Sequence, residues 1–335
     1  MSARWAAPVV AAVVAALFLL PRDTWHASAH AAAPATPIRI ALSSTPHAAL
    51  LYIAVAQGFF AEEGLPIAIV PATHGKAALD LLAQGKADLA TAAEVPFVIS
   101  VLHGERLSVV ATVASVSSEM AVVARRERGI SNPADIAGKR VGVTPGTSGE
   151  YYLWAFLIRH MISPDDVILE AVAPGQMPQQ LAAGNVDAVS TWEPIKSAAR
   201  DALGDSSVTF SESDAYTVTH VVIGTSGFIA THAEEINKLL RALLKAEAFA
   251  RANPDKAQRI VAERLKLDPK TLRAGWSDLT FRVDLRQSQL VTLEDQARWA
   301  MARGHSPSGP LPNFLPRLYL DGLLAIQPDR VTVVH

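Results

Sequence analysis

The residues with most chemistry to offer form a short turn, Gly146-Thr147-Ser148-Gly149, at the start of a helical stretch. Glycines let a backbone approach a ligand closely, free N–H groups at a helix start carry partial positive charge, and two hydroxyls add donors. Such a turn suits a sulfonate, carboxylate or phosphate, and it equally suits an ordinary helix cap. Other polar groups occupy comparable places. Ser43, Ser44 and Thr45 follow the first strand-like run, and His74 follows the second. Thr91 and Glu94 follow the third, and Trp192 and Glu193 close a later one. Trp192 can stack on a flat ligand or cover an alkyl chain, or it can pack between a strand and the next helix. Glu94 and Glu193 can bind an amine, or they can offset a helix dipole.

Catalytic chemistry has little to build on. The 335-residue chain contains no cysteine, which excludes disulfides, thiol nucleophiles, Cys-based zinc sites and a lipidated N-terminal cysteine. The ten histidines are scattered, with no H-E-x-x-H and no pair at metal-ligand spacing. No G-x-S-x-G elbow, Walker lysine or G-x-G-x-x-G occurs, and no carboxylates pair for acid–base work. No catalytic residue, metal or cofactor is therefore expected. His74 and His220 could reach a ligand, although a lone histidine more often bonds in the core or on the surface. A second run, Gly224 to Gly227, falls in a strand region and reads as structural. A net charge of -2 leaves no basic face for nucleic acid.

The elements that must position these groups alternate. Strands are expected at Ile38–Leu42, Ile67–Val70, Asp88–Ala92 and Leu107–Val113, with helices at His47–Glu63, Lys76–Ala83 and Val95–Leu102. A second series runs through strands Ala121–Ala124, Arg140–Thr144, Val167–Val172 and Asp187–Thr191. Its helices are Ser131–Ala137, Glu150–Met161 and Gln176–Ala183. One more strand, Val221–Ala230, precedes a helical end at Ala233–Ala252, Pro254–Leu265, Pro269–Leu279 and Leu293–Ala302. Strands separated by helices imply parallel sheets covered on both faces. A quasi-repeat links the two series. Leu82-Ala83-Gln84-Gly85-Lys86-Ala87-Asp88 leads to Glu94-Val95-Pro96, and Leu181-Ala182-Ala183-Gly184-Asn185-Val186-Asp187 leads to Trp192-Glu193-Pro194. Two similar α/β lobes are expected, with ligand in the crevice beyond the carboxyl ends of their strands.

The start of the chain reads as a targeting segment. Arg4 precedes an apolar run from Ala6 to Leu20, short of the about twenty residues a membrane span needs. Small residues at Ala27-Ser28-Ala29 and Ala29-His30-Ala31 follow, as a signal peptidase accepts. A signal peptide over residues 1–33, cleaved near residues 29–33, is expected; an uncleaved anchor is the alternative.

Several motifs, taken in order, resemble those of periplasmic binding proteins for alkanesulfonates, taurine, nitrate and the thiamine-precursor pyrimidine. Tyr52 to Leu65, reading YIAVAQGFFAEEGL, is similar to their first-helix signature, and Gly85 to Asp88 to their helix-to-strand turn. Ile136-Ala137-Gly138-Lys139-Arg140-Val141-Gly142-Val143 resembles the opening of their second lobe, Trp192-Glu193-Pro194 their tryptophan–acid–proline element, and Asn253-Pro254-Asp255-Lys256-Ala257 their late helical motif. The resemblance implies a type II periplasmic-binding-protein fold of two α/β lobes with a two-strand hinge. Lobe 1 would comprise residues 37–118 and 221–335, and lobe 2 residues 119–220. It further implies a monomeric, periplasmic binder of a small, anionic or aromatic ligand, serving an ABC permease and ATPase. The alternatives are a binder that serves a membrane sensor and a pyrimidine-precursor binder or enzyme. The family's pyrimidine synthases use a cysteine-rich motif that this chain lacks.

Overall fold

The computed structural model describes residues 36–335, Asp214 and Ser308 excepted. The expected export signal lies outside the described residues. Among those described, no helix is long and apolar enough to cross a membrane.

Among the described residues, eleven strands divide into two sheets. They are β1 (Ile38–Ser43), β2 (Ile67–Ala72), β3 (Leu89–Ala93), β4 (Leu107–Val116), β5 (Ala121–Arg125) and β6 (Arg140–Val143). The rest are β7 (Ile168–Ala171), β8 (Ala188–Thr191), β9 (Ser207–Phe210), β10 (Val218–Thr225) and β11 (Thr280–Asp284). The first sheet has the order β11-β4-β10-β3-β1-β2 and the second β7-β6-β8-β5-β9. The chain passes from the first to the second between Val116 and Ala121, and it returns between Phe210 and Val218.

Each sheet has a parallel part, as the βαβ pattern requires: β2-β1-β3 in one and β7-β6-β8 in the other. The sheets are mixed, however, not parallel throughout. β10 runs antiparallel to both β3 and β4, and β5 antiparallel to both β8 and β9. The strand entering each sheet from the other comes without a covering helix of its own, so nothing forces the parallel sense.

The last expected strand ends early. Val218–Thr225 is strand, but Ser226–Thr231 is helix, and the Thr225 hydroxyl caps it by accepting from Phe228 N–H. Gly224 to Gly227 therefore marks a strand-to-helix junction. The edge strands β9 and β11 have no counterpart in the sequence reading. The long first helix is interrupted, with segments at Pro46–Ala48, Ala49–Ala56 and Phe59–Glu62.

The two Gly–Asp turns of the quasi-repeat hold equivalent places. Gly85 and Gly184 end their helices with φ of 68° and 74°, a conformation that side chains with a Cβ resist. Each aspartate then binds the neighbouring strand, Asp88 accepting from Arg39 N–H and Asp187 from Arg140 N–H. Apolar side chains fill both sheets' faces, from Ile40 and Leu89 in one core to Val141 and Phe156 in another. The helix Gln287–Ala302 contributes to both: Leu293 and Ala297 to the first, Trp299 and Ala300 to the second.

Candidate functional site

A narrow cavity of about 40 Å³ lies where the two sheets' loops meet. Six expected residues line it: Ser43, Thr45 and His74 from the first sheet's loops, and Thr147, Ser148 and Trp192 from the second's. Lys76 joins them, as do Met120 and Glu119 from the outgoing crossing and Val218 and His220 from the returning strand.

The first wall is a hydroxyl network. Ser43 N–H donates to Thr91 Oγ1 at 3.0 Å, and Ser43 Oγ lies 3.2 Å from Thr45 Oγ1 and 3.3 Å from Thr91 Oγ1. Thr91 stands behind this wall and holds it; Ser44 faces solvent. His74 precedes the helix Gly75–Ala83, with Nδ1 2.9 Å from Thr73 Oγ1. Burial, then the charge of Lys76, lowers its pKa, so its neutral ring is the form that faces the cavity.

The second wall departs from the expected anion-holding turn. Gly146 N–H donates to Glu150 Oε2 at 2.8 Å, and Glu150 Oε1 lies 2.9 Å from His305 Nε2. Thr147 Oγ1 donates to the Thr144 carbonyl at 2.7 Å. The protein's own carboxylate thus occupies the turn. Thr147-Ser148-Gly149-Glu150 matches the S/T-x-x-E capping signature, which was the available sign, although here the glutamate reaches Gly146 and Thr147 makes no side-chain cap. Ser148 Oγ is buried without a hydrogen bond. Gly149 is needed for space: a Cβ there would lie 3.0 Å from Ser190 O and 3.3 Å from the Trp192 ring. Its absence lets Trp192 lie flat against the helix start.

The two acidic candidates stand outside the cavity lining. Glu94 is fully buried, and both its oxygens accept from Thr219 N–H, at 3.1 and 3.0 Å. Burial pushes its pKa up to about 7, against the pull of those hydrogen bonds. Glu193 borders a neighbouring cavity of about 450 Å³, where it pairs with Lys196 Nζ at 3.0 Å and accepts from Ser197 N–H.

Between the two cavities lies a cluster that sequence spacing had no means to reveal. His47 Nε2 lies 2.5 Å from Glu119 Oε2, and His220 Nε2 lies 3.7 Å from Glu119 Oε1. The imidazoles stack face to face, centroids 3.7 Å apart and planes 6° from parallel. Burial alone would raise the Glu119 pKa, but the two imidazoles overcome it and hold the carboxyl at about 2. Burial, then repulsion from His47, takes His220 down to about 4, with Glu119 opposing.

Comparison with known proteins fits this geometry. A Brucella abortus protein named only for binding is 27% identical over 149 residues, 44% of this chain and 47% of that protein. The chain thus spans about half the length of the curated relatives it matches first. A Bacillus subtilis protein named for binding aliphatic sulfonates is 24% identical over 227 residues, 66% of this chain and 68% of that protein. The alkanesulfonate-binding protein SsuA of Xanthomonas axonopodis pv. citri, solved with MOPS bound, superimposes with a TM-score of 0.74 at 18% identity, covering 86% of this chain and 99% of that one. At that identity the likeness establishes the periplasmic-binding-protein fold. The profile described as NMT1/THI5 like matches residues 45–257, more than half of the chain, and the protein belongs to that family.

Proposed function

We propose that this protein is the extracytoplasmic solute-binding component of an ABC importer, and that it takes a small organic anion of the sulfonate class by closure of two lobes. The observation that carries this reading is the cavity between the two sheets. Its walls come from both, with Ser43, Thr45, His74 and Lys76 on one side and Ser148 and Trp192 on the other. A ligand touching both walls favours the closed arrangement, because only there are both sets of contacts made. The two crossings, at residues 117–120 and 211–217, would act as the hinge. The lobes expected from the sequence, 37–118 with 221–335 and 119–220, would meet at these crossings, with Val218 to His220 passing to the first because β10 pairs within its sheet.

The polar groups favour an anion. Lys76, which also pairs with Asp80 at 3.2 Å, brings positive charge to a lining that includes the Glu119 carboxylate, and the Ser148 hydroxyl lacks a hydrogen bond within the protein. Trp192 covers the remainder of the ligand. The sulfonate-binding name of the Bacillus relative points the same way. Glu94 and Glu193 are engaged elsewhere, which argues against an amine-binding pair. The protein acts as a binder, not a catalyst, in the periplasm and as a monomer, handing its ligand to a permease driven by an ATPase.

A thermal-shift panel of sulfonates, nitrate, aromatic acids and pyrimidines tests the ligand class, followed by solution scattering with the best binder. A sulfonate should raise the melting temperature by mass action and shrink the radius of gyration. Stabilisation by neutral or cationic compounds alone would overturn the anion assignment. Tight binding with unchanged scattering would overturn closure.

A further inference from the structure

We infer that His47, Glu119 and His220 form a binding site for a divalent transition-metal ion, with zinc the best match, in the floor of the cleft. The three side chains come from separate segments: the turn after β1, the outgoing crossing, and β10 beside a shift in its register with β4 between His220 and Val221. Such an irregularity commonly re-aims a side chain. One ligand atom from each residue lies within 4.8 Å of the others. No other group of three His, Asp or Glu donors converges in this way among the described residues.

The donor set matches the chemistry of zinc. Two imidazole nitrogens and one carboxylate oxygen are zinc's usual ligands, at about 2.0–2.2 Å, and three protein ligands leave a further position open. His47 Nε2 lies 2.5 Å from one Glu119 oxygen and His220 Nε2 3.7 Å from the other, so small side-chain shifts bring the donors to the roughly 3.4 Å between neighbouring ligands of a tetrahedral ion at those bond lengths. The site is also under-satisfied. His47 and Glu119 are 3% and 5% exposed; His47 Nε2 meets Glu119 Oε2 at 2.5 Å, but His220 Nε2 stands 3.7 Å from the carboxylate and has no hydrogen-bond partner, nor has His47 Nδ1. Buried polar atoms are rarely left so without a reason.

Because the rings stack in parallel, their lone pairs run side by side, and one imidazole must tilt for both to meet a single ion. Entry is direct. His47 and Glu119 line both the cleft cavity and its larger neighbour, so water or an anion can complete the coordination. One carboxylate leaves a bound dication with surplus positive charge. The inference stands whether or not the cleft takes a sulfonate, because the protein supplies all three ligands.

The untagged, exported chain, treated with chelator and dialysed, is titrated with ZnCl2 by calorimetry and by thermal melt. One equivalent should bind per chain and raise the melting temperature. Co2+ in its place should give the intense d–d bands of a four- or five-coordinate site. Glu119→Gln and His220→Asn should each weaken binding at least tenfold, with the metal-free fold checked by circular dichroism. No heat and no change in melting temperature at a tenfold excess of Zn2+ would overturn the assignment, as would unchanged affinity in both variants. If neither variant folds, the wild-type Co2+ spectrum decides: weak octahedral bands reject the site and intense ones support it.

Discussion

Asp88 and Asp187 occupy the same place in the two sheets and live in different company. Each accepts a backbone N–H from the adjoining strand, at 2.8 Å from Arg39 and 2.9 Å from Arg140. Each arginine also donates to the glycine carbonyl of its turn, Arg39 to Gly85 and Arg140 to Gly184. In the first sheet one arginine does all the work, with Arg39 Nη2 2.6 Å from Asp88. The second turn recruits more: Arg128 Nε lies 3.4 Å from Asp187, and Arg125 donates to the Leu181 and Ala182 carbonyls. Beyond the turns the two regions part. Ala93-Glu94 sends its carboxylate inward onto β10, whereas Trp192-Glu193 presents a ring to the cleft and a half-buried ion pair behind it. A shared turn fixes the strand's position, and the element packed against its exit decides what that position does.

The largest test of this equivalence is to remove each aspartate. Asp88→Ala and Asp187→Ala should each cost about 3 kcal/mol in urea unfolding, because a charge-assisted acceptor of a backbone N–H is lost. A cost for Asp187 under half that for Asp88 would show that the arginine-rich turn supports itself. Burial alone would raise both carboxylates, but arginine hydrogen bonds and charge outweigh it and hold them below the ordinary value. The stability they confer is therefore present above the unfolded pKa of about 3.9 and lost as pH falls through their lower folded values.

Glu94 has the opposite sign. Its folded pKa of about 7 exceeds the unfolded value of about 4.3, so the unfolded chain ionises first as pH rises. Below pH 4 the group is neutral in both states. Between about pH 4.3 and 7 its contribution falls, and above 7 the loss is complete. Glu94→Gln should therefore be more stable than wild type at pH 8, by on the order of 2 kcal/mol, and nearly equal to it at pH 4. A melting-temperature difference independent of pH would contradict this assignment.

Gly149→Ala probes the wall that the second region alone possesses. A Cβ 3.0 Å from the Ser190 carbonyl oxygen should cost about 1–2 kcal/mol. Adding Trp192→Ala should recover only the part due to the ring, a double-mutant cycle that separates backbone from side-chain crowding. The smallest effect belongs to Glu193→Gln. Its side chain is 33% exposed and pairs with Lys196, so denaturation should detect less than about 1 kcal/mol.

How much of this was legible follows from range. Helical and strand periodicity, and the Gly–Asp turns, are local, and they were readable from Ile38 through Thr191. The antiparallel sense of β5 and β10 was not, because it depends on the chain changing sheets. Gly224-Thr225-Ser226-Gly227 passed for strand because Val221–Ile223 before it and Phe228–Ile229 after it are both apolar. In the site, the residues that follow strands could be found by rule, and six of them border the cavity. The occupation of the Gly146 turn was written in Glu150. The joining of His47, Glu119 and His220 was written nowhere local, since it is made by the outgoing crossing and β10 meeting the first strand's exit.

The helix Gln287–Ala302 carries one more consequence. Its middle is bedded in the first core and its end in the second, where Trp299 packs beside Tyr151, while Asp295 accepts from the Tyr151 hydroxyl at 2.7 Å. Just beyond it, Arg303 reaches Asp165 and His305 reaches Glu150. A rod clamped at two points in two bodies cannot follow both when they rotate. Were one body to swing against the other, as the proposed closure requires, it would have to slide or bend this rod, which would then act as a strut. Its contacts at Glu150 and Tyr151 set this rod beside the helix start that bears Thr147 and Ser148, so it would feel both a swing and a change at the cavity wall.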